Sequence, residues 1–81
     1  MNEVPEPSCP PGRRPHRERI ADIIRLCPTN GKTAGVVVDN TPEHVAYYLA
    51  EIAKHPEITI LAQGKLTDES YIIKITKTHQ N

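Results

Sequence analysis

The sequence predicts a mainly α-helical domain of three helices closed by a C-terminal β-hairpin. Three observations carry that expectation. Apolar residues recur at helical spacing over 20–27 and again over 45–52, a short segment between these stripes fits a third helix, and the last third alternates apolar with polar residues on both sides of a turn. With 81 residues the chain has room for at most one small domain.

The front of the chain sets the boundary. Pro5, Pro7, Pro10, Pro11 and Pro15 crowd residues 1–15, where Val4 is the only aliphatic residue beyond Met1. Such a stretch buries too little apolar surface to offset its ordering entropy, so 1–15 is expected to be a disordered arm, 16–78 the folded domain and 79–81 a disordered tail. The first helix, over 15–27, places Ile20, Ile23, Ile24 and Cys27 on one face and Arg19, Asp22 and Arg25 on the other. Pro28 and Asn30-Gly31 end it. A stronger helix spans about 41–54, with Thr41 as cap and Pro42 at the first helical position. Val45, Tyr48, Leu49 and Ile52 form its apolar stripe, and His55-Pro56 closes it. Ile58, Ile60 and Ala62 alternate with Thr59, Leu61 and Gln63, and Tyr71, Ile73 and Ile75 alternate with Ile72, Lys74 and Thr76, which makes the hairpin.

Residues 32–40 (KTAGVVVDN) decide between two folds. Three consecutive valines bounded by Gly35 and Asp39-Asn40 suit a buried strand, which gives an α+β two-layer sandwich as the alternative. The helical reading counts from Gly35 as the small residue of a helix-turn-helix: Val38 is apolar, Asp39 takes the turn, and Val45 and Tyr48 are apolar at the later positions. Ala34-Gly35, then Asp39-Asn40-Thr41-Pro42-Glu43-His44-Val45-Ala46-Tyr47-Tyr48-Leu49, resembles the helix-turn-helix of small winged-helix regulators. That resemblance implies three helices plus a wing over 16–78, and a sequence-specific DNA-binding transcriptional regulator. A weaker resemblance is to the TusA-like sulfur-carrier superfamily. It rests on Val-Asp-Asn, Thr-Pro-Glu, the closing Tyr-Ile-Ile-Lys-Ile and Cys9-Pro10, and implies persulfide transfer by Cys9 or binding of a small ligand.

The winged-helix resemblance implies a recognition helix in the major groove of double-stranded DNA, exposing Thr41, Pro42, Glu43, His44 and Tyr47 to it. Lys32, Lys65 and the arm's Arg13, Arg14 and Arg17 would hold phosphates. Ten Lys+Arg balance ten Asp+Glu, yet residues 12–19 carry four arginines against Glu18, so a basic patch hides inside a zero average. So few phosphate contacts imply a homodimer or a larger protein partner. A winged helix used for protein interaction is the third expectation.

Enzymatic signals are absent from the sequence. It has no glycine-rich phosphate loop, no His-Glu-x-x-His pattern and no nucleophile elbow, and its four histidines are widely spaced. No catalytic residue, cofactor or metal is therefore expected. Two cysteines, Cys9 and Cys27, form neither a disulfide framework nor a zinc set. No apolar run reaches the roughly 18 residues of a membrane span, and 1–19 contain no signal-peptide core, so a cytoplasmic protein without membrane contact is expected.

Overall fold

The computed structural model describes residues 4–8, 11–29 and 31–78. The elements run α1 (His16–Leu26), β1 (Ala34–Asp39), α2 (Pro42–Ala53), β2 (Ile58–Lys65) and β3 (Ser70–Lys77). The strands form one antiparallel sheet in the order β1-β3-β2. Helical residues of both α1 and α2 bury into the same core as the inward side of the sheet.

The three-helix expectation is overturned by β1. Residues 34–39 are a strand, leaving two helices and a three-stranded sheet, an α+β arrangement compatible with the two-layer alternative. Val36, Val37 and Val38 are each stiff at χ1 and pack well on a pleated surface. Their burial alternates: Val36 and Val38 are 5% and 4% exposed beside Ile73 and Tyr71 of β3, while Val37 points to the opposite face. With 34–39 a strand there is no first helix of a helix-turn-helix, and α2 is not the second member of one. The hairpin that would be a wing is instead two-thirds of the sheet.

Local chemistry explains the remaining boundaries. Cys27 is extended because Pro28 follows it, which stops α1. Gly31 sits at φ +82°, a left-handed value, and turns the chain toward β1. Thr41 caps α2 by accepting from the His44 N–H at 3.2 Å, and Pro42 occupies the first turn. In β2 the simple alternation breaks at Leu61. A bulge between Ile60 and Ala62 moves Ala62 opposite Lys74 and Gln63 opposite Ile73, so Gln63 rather than Ala62 shares the face of Ile60. The core comprises Ile20, Ile24, Cys27, Val36, Val38, Tyr47, Tyr48, Ile52, Ile58, Ile73 and Ile75.

This topology gathers one end of the molecule. β1 runs toward it and α2 leaves it, and the hairpin turn meets them there: the Asn40 N–H donates to the Glu69 carbonyl at 3.0 Å and the Asn40 amide to the Asp68 carbonyl at 3.3 Å. The first residue of α1, His16, reaches the same region through Tyr48 of α2.

Candidate anion-binding cleft

A cleft of about 170 Å3 opens where the start of α1, the end of β1 and the start of α2 converge. Arg13, Arg14 and Arg19 line it together with His16, His44 and Asp39, and Tyr48 and Ser8 help close it.

Each polar group is positioned by a local sequence choice. His16 opens α1 and is 5% exposed. Its Nδ1 lies 2.7 Å from the Tyr48 hydroxyl, and its Nε2 lies 3.4 Å from the Ser8 carbonyl, so the acceptor there assigns the Nε2 proton to His16. His44 lies three residues beyond the cap. Its Nδ1 is 2.7 Å from Thr41 Oγ1 and its Nε2 is 3.5 Å from Asp39, an arrangement in which Thr41 donates to Nδ1 while accepting from the His44 backbone. The two imidazoles meet edge to face with centroids 5.2 Å apart, and His16 meets the Tyr48 ring at 5.5 Å. Arg19 lays its guanidinium over Tyr48 at 5.6 Å from the ring centroid. Arg14 is held by Asp22 and Glu18. The Asp22 hydrogen bond and charge raise the Arg14 pKa, while Arg25 first and Arg14 second hold the Asp22 carboxyl below its ordinary value.

The chemistry of this set is that of an anion receptor. Among the described residues three guanidiniums, that of Arg14 already paired with Asp22 and Glu18, and two imidazoles line the cleft with one carboxylate, Asp39, and the first turns of α1 and α2 both contribute to it. Thr41 Oγ1 is engaged twice, as the helix cap and with His44.

The residues expected from the sequence to contact DNA are dispersed. Arg13, Arg14 and His44 line the cleft, and Thr41 orients His44. Pro42 and Glu43 are exposed on the first turn of α2. Tyr47, expected to be exposed, is 5% exposed, and burial raises its phenol pKa, with Glu6 and Glu51 adding to the shift. Arg17 lies on another side with Tyr47, Glu51 and Lys54, within 4.0 Å of Glu6. Lys32 precedes β1, so the strand separates it from the cleft by about 20 Å of extended chain. Lys65 pairs with Asp68 at 2.8 Å in the hairpin. Cys9, the residue of the sulfur-carrier resemblance, lies outside the described residues, as does the 79–81 tail. Of the arm, Val4 packs against the core and Ser8 accepts from His16.

The sequence reading missed His16, Arg19, Asp39 and the role of Tyr48. The signals present were the i, i+3 pair His16/Arg19 on a helix start and the short string Asp39-x-Thr41-x-x-His44, which ties a strand end to a cap. Cys27 is buried, and that burial pushes its thiol pKa up, which marks an unreactive core residue. No helix among the described residues is long and apolar enough to cross a membrane.

Compared with protein-family models, with curated proteins and with solved structures, the chain matches none.

Proposed function

We propose that the protein is a binding module for a phosphate-bearing ligand, seated in the cleft of Arg13, Arg14, Arg19, His16 and His44. The observation that carries this reading is the convergence of Arg13, Arg14, Arg19, His16 and His44 on one cleft where Asp39 is the one carboxylate lining it among the described residues, Asp22 and Glu18 pairing with Arg14 from outside. Its size suits one phosphate group rather than a large ligand.

The source we favour is a nucleic-acid backbone. Arg13 and Arg14 are exposed at the rim of the cleft, within reach of a phosphate that belongs to a long backbone. Such binding uses backbone contacts and leaves base readout by α2 out of the mechanism. The exposed start of α2 offers Glu43, and its tyrosines are buried. The reading is one of binding, in which Tyr48 orients the His16 imidazole and Thr41 and Asp39 orient that of His44.

The test is a titration followed by the ring resonances of the histidines. Inorganic phosphate should move the His16 and His44 signals and leave His55 unmoved, and a short DNA duplex should do so at lower concentration. Arg19→Ala should weaken both responses about tenfold, the loss of one charge-assisted contact. A response to phosphate without a stronger one to DNA would make the ligand a small phosphorylated molecule. Silence of both histidines to both ligands would refute the reading.

A further inference from the structure

Two hollows beside β1 share Asp22, Ile23, Gly35 and Val36, so they form one groove with α1 as one wall and the outer edge of β1 as the other. Among the described residues the strand pairs on one side only, because β3 lies between β1 and β2. In an antiparallel ladder successive residues turn their N–H and C=O alternately toward and away from the neighbour. Asn40 donates toward β3, at Glu69, which fixes the even-numbered residues as the inward set. Gly35 and Val37 therefore direct their backbone groups into the groove. The Val37 carbonyl accepts there a long 3.5 Å contact from Arg19.

The groove is two-ended. Arg14 and Arg19 stand at the Val37 end, where Asp22 pairs with Arg14 and Arg19 makes no ion pair among the described residues, and Ile23, Leu26, Cys27 and Ala34 line the other. Among the described residues four large apolar side chains are left to solvent, and two of them, Leu26 at 68% and Val37 at 46%, flank this edge. An open edge bordered by an apolar wall is a template for another strand.

We propose that this groove takes an extended peptide segment of a partner protein by strand addition to β1. Its aliphatic side chains pack on Ile23 and Leu26, and its carboxylates lie at the Arg14–Arg19 end. The charge of the groove selects this occupant over a second copy of the chain. Symmetric antiparallel pairing of two β1 edges would set the copy's Lys32 toward the arginine end, charge against like charge. The groove shares Arg14 and Arg19 with the cleft, whereas Leu26 and Val37 lie outside it, so a change at Leu26 separates peptide binding from phosphate binding.

The experiment is selection of a displayed library of short peptides against the full chain, followed by titration of the best synthetic peptide into 15N-labelled protein. Selected sequences should carry aliphatic residues at alternate positions and an acidic end. The largest amide shifts should fall on Gly35 and Val37, with slowed hydrogen exchange at both. A version of the peptide N-methylated on alternate amides should not bind. Leu26→Glu, at a position exposed enough to leave the fold intact, should weaken the peptide about tenfold or more while the histidine response to phosphate stays unchanged. Failure to enrich any peptide would overturn the proposal, as would shifts confined to the outer sheet face or indifference to Leu26→Glu. A concentration-dependent dimer in sedimentation, with Gly35 and Val37 already protected, would also overturn it by giving the edge to a second copy.

Discussion

Tyr48→Phe removes one oxygen from the middle of the structure. Tyr48 has no exposed surface, and its hydroxyl lies 2.7 Å from Nδ1 of His16, itself 5% exposed. The ring keeps its packing against Tyr47 and His16, so no large cavity opens. The loss is a hydrogen bond that leaves a buried ring nitrogen without its partner, which costs about 1–3 kcal/mol. In a domain of this size each kcal/mol corresponds to a melting-temperature shift of about 4–8 °C. Thermal unfolding followed by circular dichroism measures it. Tyr71→Phe is the internal control: its hydroxyl donates to Gln63 at the same 2.7 Å, but at an exposed site, so the change should stay within about 0.5 kcal/mol. Equal effects of the two substitutions, or no effect of Tyr48→Phe, would refute the coupling between α1 and the cleft. The variant should also lose part of its phosphate response, because His16 then keeps its ring contacts and the Ser8 carbonyl but not the hydrogen bond at Nδ1.

Other outcomes follow from the same geometry. Val36→Ala should destabilise by about 1–3 kcal/mol and Val37→Ala by no more than about 0.5, since one valine is buried and the next is not, and chemical denaturation checks the difference. Asp22 is held below its usual pKa of 3.8, so its ion pairs with Arg25 and Arg14 support the fold at neutral pH and lose that support as pH falls through the lowered value; Asp22→Asn should make acid unfolding less steep there. The Tyr47 phenol is raised from 10.0, so its contribution is intact below that pH and is lost as pH climbs above it, and Tyr47→Phe should remove this alkaline component of a stability profile. Lys32→Ala and Lys65→Ala should leave phosphate binding unchanged, because neither side chain lines the cleft.

The two longer helices and the hairpin were legible because their patterns are long and strictly periodic: Ile20, Ile24 and Cys27 on one, Tyr48 and Ile52 on the other, Ile73 and Ile75 on the last strand. The 34–39 segment was not. Six residues are too few to separate the two periods, and a motif frame counted from Gly35 outweighed what the three valines say about χ1. The Leu61 bulge shifts a register through local backbone geometry that alternation alone does not encode. The cleft was half legible. Arg13 and Arg14 stood out as a charge run, whereas His16, Arg19 and Asp39 are joined to them only once β1 runs antiparallel to β3 and delivers Asp39 beside α2.

The most direct measurement is the salt dependence of duplex DNA binding by the parent chain and by the Arg13→Ala/Arg19→Ala double variant. The proposed phosphate contacts predict that the variant binds at least about tenfold more weakly and that its slope of log affinity against log salt is shallower by about 1 for each arginine removed. An unchanged affinity and slope in the double variant would contradict the assignment of the cleft as the phosphate site.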